Sequence, residues 1–298
     1  MNEQLDRRNF LKTAGMAVGL AAAGGLVAGC GTAKEAPGAA APAAPQSAAG
    51  AFGDIIARIR KRGKITIATV LKFPPEMYVD PKTNKPAGYD VEIMGMIAKD
   101  LEVELDLVDV EWEAILPGVA AGTYDTTLCG IVNKPSRLVT FDFTRGYVPY
   151  DLWMLVKADE TATSYQEMNV AGKKITGQIG ASAEYRARDA FPLAEIIPLK
   201  VPEDMLEVEA GRADGCVIEA YLAMPFAAKH PNTKVLGWPD ETKGLLAREW
   251  GCIPVLKSEH SFLHYLDSWV SWYWDRGTLT GMYDRIVGPT LRGEVSWE

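Results

Sequence analysis

Two short passages of this chain repeat the same order of residue types, and they constrain the fold more than any other feature. Ala121-Gly122-Thr123-Tyr124-Asp125 is followed five residues later by Gly130, and Ala210-Gly211-Arg212-Ala213-Asp214 is followed five residues later by Glu219. Each passage predicts a helix end, a tight turn, an Asp and a short buried strand. The repetition predicts two similar halves, with residues near 130 and 219 at the carboxyl ends of equivalent strands. In open α/β sheets ligands bind at those ends.

The residues around the first passage alternate between strand-like and helix-like patterns, as in an α/β protein. The β-branched residues 65–70 and the apolar residues 105–110 predict strands, and residues 91–100 and 112–121 predict helices. A chain of 298 residues with 48% hydrophobic and 23% charged residues has room for two such lobes. Its net charge of -8 argues against nucleic acid, whose affinity for proteins comes from Lys and Arg.

The N-terminus predicts export and lipid anchoring. Residues 7–12 (Arg-Arg-Asn-Phe-Leu-Lys) resemble a twin-arginine signal, and residues 26–30 (Leu-Val-Ala-Gly-Cys) resemble a lipobox. We therefore interpret residues 1–29 as a signal peptide, Cys30 as the lipidated residue and residues 30–51, rich in Ala, Pro and Gly, as a flexible tether. An uncleaved N-terminal helix that anchors the protein is the alternative. The predicted location is extracytoplasmic, on the outer face of a bacterial cell membrane or in the periplasm.

Three of the four cysteines lie in the body of the chain and none forms a Cys-x-x-Cys pair. Because a twin-arginine signal exports folded proteins, disulfides are not required, and we expect Cys129, Cys216 and Cys252 to be free thiols. His260 and His264 stand at i, i+4 beside Glu259, a spacing that can ligate zinc, but a third ligand is missing, so we predict no metal site and no cofactor. Three tryptophans at 269, 272 and 274 predict either core packing or a contact with a membrane or a permease.

A series of short motifs in the body of the chain resembles one family. In chain order they are Phe73-Pro74-Pro75, Gly88-Tyr89-Asp90-Val91-Glu92, Trp112-Glu113-Ala114-Ile115-Leu116-Pro117, Gly122-Thr123-Tyr124-Asp125, Arg137, Phe141-Asp142-Phe143-Thr144, Gly180-Ala181-Ser182, Gly211-Arg212-Ala213-Asp214 and Asp275-Arg276-Gly277-Thr278-Leu279. They lie in a stretch of about 220 residues, from Ile65 to about Val287. This stretch is similar to the extracellular solute-binding proteins of polar amino acid ABC transporters.

This resemblance implies a fold of two α/β lobes, the type II periplasmic-binding-protein fold. Lobe 1 would comprise residues 52–145 plus 250–290, and lobe 2 residues 150–246, inserted between them. Two hinge strands, near 145–149 and 247–250, would join the lobes and allow closure around a ligand. The resemblance also implies a partner permease in the membrane, a small-molecule ligand and a monomeric protein.

The resemblance further implies a set of ligand-binding residues. Arg137 would hold the carboxylate of an amino acid through its planar guanidinium, or would pair on the surface with Asp142. Ala181 and Ser182 would meet the same carboxylate at a helix N-terminus, although Ser182 is also a candidate N-cap. Glu219, where the family usually has Asp, would hold the ammonium, unless it is a solvated residue that begins the next helix. The other candidates are Phe73 and Trp112 around the ligand side chain (either of which can instead be core), Gly130 with its backbone groups, Val132, Cys129 and Glu76.

Departures from the family pattern bear on the ligand. Val70 stands where relatives that bind polar side chains often have Asp, and Glu76 replaces the usual Phe. Lys134 replaces a Thr, and Cys129 and Val132 reduce the polarity of the lobe 1 floor. These residues predict an uncharged, fairly hydrophobic or aromatic ligand, while Glu219 leaves open a ligand other than a standard α-amino acid.

Two other functions remain open on the same fold. Cyclohexadienyl dehydratases resemble these binding proteins, but their catalytic Glu falls at Leu222 here, so we predict that the chain is not an enzyme. A sensory protein that presents its ligand to a receptor is the second alternative.

Overall fold

A computed structural model describes residues 54–294 of the chain. The predicted signal peptide, Cys30 and the tether lie outside the described residues. In the described part no helix has both the length and the apolar character needed to cross a membrane.

Lobe 1 is built on a parallel sheet whose strand order is β5-β1-β6. Ile65 and Ile67 on β1 are fully buried, which is why the β-branched run forms the central strand. The elements before the chain leaves this lobe are α1 (Ile55–Arg62), β1 (Lys64–Thr69), β2 (Lys72–Phe73), β3 (Met77–Asp80), β4 (Lys85–Ala87), α2 (Tyr89–Asp100), β5 (Glu104–Asp109), α3 (Trp112–Ala120), β6 (Thr126–Thr127) and β7 (Phe141–Phe143). The predicted strands and helices of this half are present, each within two residues of its predicted ends.

Lobe 2 is built on a sheet with the order β10-β9-β11-β8-β12, and β13 also pairs with β8. Its elements are β8 (Val148–Lys157), a 3-10 helix (Tyr165–Met168), β9 (Lys174–Gln178), α4 (Ser182–Ala190), β10 (Glu195–Leu199), α5 (Glu203–Glu209), β11 (Gly215–Glu219), α6 (Ala220–Lys229), β12 (Thr233–Val235), α7 (Glu241–Gly244) and β13 (Ala247–Gly251). Strands β8 and β13 run antiparallel from Val148 opposite Gly251 to Leu152 opposite Ala247. They are the two strands that the sequence predicts as the hinge.

The chain then returns to lobe 1. Strand β14 (Pro254–Leu256) pairs with β7, and it is followed by α8 (His260–Asp275), α9 (Thr278–Ile286) and α10 (Gly288–Leu291). Trp269 of α8 donates from its indole Nε1 to Asp100 Oδ2 of α2 at 2.8 Å and is 6% exposed, so core packing accounts for it. Trp272 is 55% exposed, and the Arg276 guanidinium stacks over its ring.

The two repeated passages form equivalent turns in the two lobes. In lobe 1, Asp125 Oδ2 accepts from Thr66 N of β1 at 2.8 Å, and in lobe 2, Asp214 Oδ2 accepts from Lys174 N of β9 at 2.8 Å. In return, the backbone N–H of Asp125 donates to the carbonyl of Thr66 and that of Asp214 to the carbonyl of Lys174, again at 2.8 Å. The Asp therefore fixes the next strand, β6 or β11, beside β1 or β9. Cys129, Cys216 and Cys252 are buried free thiols, as predicted.

Candidate functional site

The repeated strands lead to one small cavity between the lobes. Gly130, three residues after β6, and Glu219, the last residue of β11, both line it. The cavity has a volume of about 20 Å³, enough for one water-sized group. Its walls are formed by Phe73, Met77, Trp112, Cys129, Gly130, Val132, Arg137, Tyr150, Gln178, Ala181, Ser182, Glu219 and Tyr221.

Nine of the ten ligand-binding candidates named from the sequence lie in this wall, and Glu76 does not. Sequence reasoning missed Met77, Tyr150, Gln178 and Tyr221. Tyr150 lies in the apolar run of strand β8, where an aromatic residue is expected to belong to the core. Position in the sequence could have identified two of the others, since Gln178 ends a strand just before Gly180 and Tyr221 follows Glu219 by two residues.

A wider groove of about 660 Å³ opens beside the cavity and shares Phe73, Trp112 and Gln178 with it. Its remaining walls include the apolar residues Val70, Pro74, Ile179, Val201, Pro202, Met205, Leu222, Pro225 and Phe226. The charged residues Lys72, Glu111, Glu113, Lys200, Glu203 and Lys229 also line it, with His230. This volume falls within the range of small-molecule pockets in proteins, about 300–1,000 Å³.

Arg137 lines the cavity, and its guanidinium contacts both lobes. Its Nη1 donates to the carbonyl of Val132 at 2.8 Å and its Nη2 to the carbonyl of Gly180 at 3.1 Å. Within residues 54–294 it has no carboxylate partner, and the pairing with Asp142 is wrong, because Asp142 pairs with Lys257 at 2.9 Å. Partial burial lowers the pKa of Arg137. The side chain is thus a half-buried cation whose hydrogen bonds go to neutral carbonyls.

The N-terminus of α4 lies next to Arg137, which donates to the carbonyl of Gly180 just before the helix. Ala181 and Ser182 line the wall, and Ser182 is the first helical residue, so it does not act as the N-cap. The N–H of Gly180 donates to Glu184 Oε2 at 2.9 Å, which fixes the turn into the helix. Backbone N–H groups at a helix start favour anions. This part of the cavity therefore suits a carboxylate.

Glu219 also lines the cavity and is 7% exposed, so it is not a solvated residue. Its Oε2 is buried and has no hydrogen-bond partner. Burial raises the pKa of Glu219 to about 7. An unpaired buried carboxyl group is costly, and a cation beside it would offset that cost.

Tyr150 packs over Gly130 so closely that a Cβ atom at position 130 would collide with the Tyr150 ring and hydroxyl. Only glycine fits there, and its N–H donates to the Tyr147 hydroxyl at 3.2 Å. The Tyr150 hydroxyl donates to Glu76 Oε2. Glu76, predicted to contact the ligand, is not in the cavity wall and lies behind residues that are, Tyr150 among them.

Other side-chain contacts between the lobes lie beside the cavity. One is the bond from Arg137 to Gly180 described above. Lys200 Nζ of lobe 2 lies 3.2 Å from Glu113 Oε1 of lobe 1, and Lys134 Nζ of lobe 1 lies 3.4 Å from the centroid of the Tyr185 ring of lobe 2. Each of these contacts joins a lobe 1 side chain to a lobe 2 group.

Of the residues from 54 to 294, no group of three or more His, Cys, Asp or Glu is arranged to hold a metal ion. Glu259, the neighbour of His260, instead accepts from Arg58 at 2.7 Å.

The sequence profile of the bacterial extracellular solute-binding proteins, family 3, matches residues 65–289. The chain belongs to this family. Its two α/β lobes have the type II periplasmic-binding-protein fold of the solved family structures that it resembles. The matched range includes every residue of the cavity wall.

The relatives of the chain include proteins named for amino acid binding. The L-cystine-binding protein TcyA of Bacillus subtilis is 26% identical over 162 residues, which are 54% of this chain and 59% of TcyA. A solved solute receptor for L-cysteine from Neisseria gonorrhoeae has a TM-score of 0.69 at 22% identity, covering 81% of this chain and 96% of the receptor. An ancestral amino acid-binding protein, described as a precursor of cyclohexadienyl dehydratase, has a TM-score of 0.68 at 24% identity, covering 78% of this chain and 100% of that protein.

Proposed function

We propose that this family member is an extracytoplasmic solute-binding lipoprotein that captures an amino acid or a similar small molecule between its lobes and delivers it to an ABC transporter permease. One observation carries the proposal. A half-buried Arg137 and a buried Glu219 line one cavity, and within the described residues neither has an oppositely charged partner. A zwitterion supplies both missing charges, with its carboxylate at Arg137 and its ammonium at Glu219.

The groove next to the cavity supports an amino acid with a large side chain. Phe73 and Trp112 line both spaces, so a side chain that leaves the cavity passes between them. The apolar walls at Val70 and Leu222 favour an uncharged, hydrophobic or aromatic side chain there. Because the cavity itself holds only a water-sized group, the lobes must separate for the ligand to enter.

Membrane attachment through Cys30 is part of the proposal and rests on the lipobox in the sequence. The tether of residues 30–51 would keep the two lobes near the membrane, where a permease can receive the ligand. Presentation of the ligand to a sensory receptor would use the same site.

A thermal-shift screen of the full chain, purified in a mild detergent, tests the binding function. The panel comprises the twenty standard L-amino acids and L-cystine. A compound that binds only the folded state at 100 times its Kd stabilises it by about 2.7 kcal/mol, which raises Tm by several degrees. If no member of the panel raises Tm, amino acid binding is wrong.

A dehydratase is the second candidate, because one structural relative is described as a precursor of such an enzyme. Glu219, with its pKa raised to about 7, has the character of an acid that can donate a proton. Leu222 occupies the position of the catalytic Glu and cannot transfer a proton, so we expect no turnover of prephenate. Measurable prephenate consumption by the wild-type chain, lost in Glu219→Gln, would support the enzyme instead.

A further inference from the structure

Glu76 is a buried carboxyl group that has no part in the proposed binding of the ligand carboxylate by Arg137 and of the ligand ammonium by Glu219. Its residue is 0% exposed, its Oε2 accepts from the Tyr150 hydroxyl, and its Oε1 has no hydrogen-bond partner. Tyr150 itself lines the ligand cavity. One hydroxyl group therefore separates Glu76 from the place where a ligand would lie.

The backbone fixes Glu76 in this position. Its carbonyl accepts from Asp90 N at 2.9 Å in the first turn of α2, and its N–H donates to the carbonyl of Phe73 at 3.0 Å. Gly88 has a φ of +119°, and a Cβ atom there would collide with the backbone of Glu76. Since Phe73 lines the cavity, the same turn that builds the cavity wall also directs the Glu76 carboxyl towards Tyr150.

The groups that face Glu76 are anionic or neutral. They come from several elements: Tyr89 and Asp90 on α2, Tyr147 just before β8, Tyr150 on β8, Glu219 on β11, Tyr221 on α6 and Tyr283 on α9. Burial and the charge of Asp90 raise the pKa of Glu76 well above its usual range, while the Tyr150 and Tyr221 hydroxyls oppose the rise. Within the cavity wall Arg137 is the one cationic side chain, and its guanidinium is bonded to the carbonyls of Val132 and Gly180.

Two buried carboxyl groups, Glu76 of lobe 1 and Glu219 of lobe 2, thus interact electrostatically, and neither has a cationic partner among the described residues. Glu219 lines the cavity directly, and Glu76 acts through Tyr150. The cost of burying their charge is avoided either when each binds a proton or when a cation binds between them. The cavity of about 20 Å³ has room for one group of the size of an ammonium.

We propose that Glu76 is a positioning residue of the ligand site. It orients the Tyr150 hydroxyl so that the hydroxyl oxygen and the Glu219 carboxylate together accept from the ammonium of the ligand. Binding of this ammonium then releases protons from the two carboxyl groups, Glu76 and Glu219, to solvent. The inference deepens the proposed function and rests on the same site. The ammonium keeps its three hydrogens and donates one to Glu219 and one to Tyr150 Oη, while the Tyr150 hydrogen points to Glu76. No covalent bond to carbon forms or breaks, and the released protons pass to the buffer.

The site would therefore select ligands that carry an ammonium group, and it would bind them more tightly as the pH rises. At pH 7 Glu219, with a pKa of about 7, carries about half a proton in the free protein, and the raised pKa of Glu76 also favours its protonated form. Binding should therefore release more protons from the pair than Glu219 alone would release. Affinity should increase with pH until both carboxyl groups are ionised in the free protein.

Calorimetry on the full chain in detergent measures this release. The tightest binder of the amino acid panel is titrated at pH 7 in phosphate, imidazole and Tris, whose ionisation enthalpies differ, and the slope of the observed enthalpy gives the number of protons released. Glu76→Gln keeps an acceptor for Tyr150 but cannot ionise, so its release should fall to about half a proton, from Glu219 alone. In a Tyr150→Phe background the Glu76→Gln change should have no further effect on affinity.

Glu259→Gln is the matched control. Glu259 is a lobe 1 carboxyl, 5% exposed, that pairs with Arg58 at 2.7 Å and lies outside the cavity wall. The variant should release as many protons as the wild type. Melting curves of all variants, recorded in the same buffers, establish that each is folded. Equal proton release by wild type and a folded Glu76→Gln would overturn the inference.

A second probe separates this inference from the proposed function. Methylammonium chloride, with potassium chloride as the control for ionic strength, is added to the unliganded chain labelled with ¹³C at the Glu carboxyl carbons, and the Glu76→Gln and Glu219→Gln variants assign the two signals. Methylammonium at millimolar concentration should move both signals towards their ionised positions, while potassium should not. If no amino acid binds but methylammonium has this effect, the proposed function fails and the ammonium site stands. If neither signal moves, the site is refuted even where an amino acid binds.

Discussion

Arg137 and Glu219 give the sharpest prediction, because substitution of each residue should remove the partner of a different ligand group, the carboxylate or the ammonium. Nη1 and Nη2 of Arg137 each donate one hydrogen bond into the cleft, to Val132 and Gly180, and both can turn to a ligand carboxylate. Charge-assisted bonds of this kind contribute roughly 1.5–3 kcal/mol each. Arg137→Ala should therefore weaken amino acid binding by on the order of 3–5 kcal/mol, or about 100- to 5,000-fold.

Two further variants separate charge from geometry. Arg137→Lys should recover only part of the affinity, because an ammonium cannot form the forked contact. Glu219→Gln should weaken an amino acid strongly and spare its desamino analogue, which brings no ammonium to the cavity. Arg285→Ala is the matched control, since Arg285 is exposed and pairs with Glu92 at 2.7 Å on the surface of lobe 1.

Calorimetry on the wild type and these four variants decides the outcome. The wild type and Arg285→Ala should bind alike, and the order of affinity should be wild type, Arg137→Lys, Arg137→Ala. Near-wild-type affinity in Arg137→Ala would refute this role of Arg137 and remove most of the case for an amino acid ligand.

Three further predictions concern stability, closure and anchoring. The folded-state pKa of Glu219 lies at about 7, above its usual 4.5. Its favourable contribution to the free energy of unfolding is therefore complete below about pH 4.5 and is lost as the pH rises through 7. Denaturant unfolding of the unliganded wild type should show a decrease in this free energy on the order of 3 kcal/mol over that range, which Glu219→Gln should lack. A slope shared by both proteins would contradict this. Small-angle scattering should show a smaller radius of gyration once a panel amino acid binds, and an unchanged radius with confirmed binding would argue against hinge closure. Cys30→Ser should abolish lipidation and release the protein from the membrane, and replacement of Arg7 and Arg8 by Lys should stop export; fractionation that finds Cys30→Ser still anchored would refute the lipobox interpretation.

The sequence predicted the fold well because local and long-range signals agreed. The β-branched run at residues 65–70 and the turns at Asp125 and Asp214 each describe a local structure, and their repetition placed Gly130 and Glu219 at equivalent strand ends. The structure brings both residues to one cavity, which Arg137 also lines. Motif positions of this kind are fixed by backbone geometry, which short sequence patterns encode.

The positions that the sequence could not place depend on contacts between distant segments. Tyr150 lies in an apolar strand and looks like core, yet it separates Glu76 from the ligand cavity. Asp142 was an alternative partner for Arg137, but Lys257, which is remote in sequence, holds it. Packing between β8 and the turn after Phe73 places the Tyr150 side chain against the Glu76 carboxyl, and no local sequence pattern predicts this contact.

The contacts between the lobes bear on the concentration at which the protein responds. Lys200 with Glu113, and Lys134 with Tyr185, form only while the lobes are close together, so any stabilisation they give lowers the fraction of molecules open to a ligand. The apparent Kd equals the intrinsic Kd divided by that competent fraction. Substitutions at Lys134 and Tyr185, which line neither the cavity nor the groove beside it, should therefore shift sensitivity to the solute, while the choice of solute stays with the residues that line both spaces.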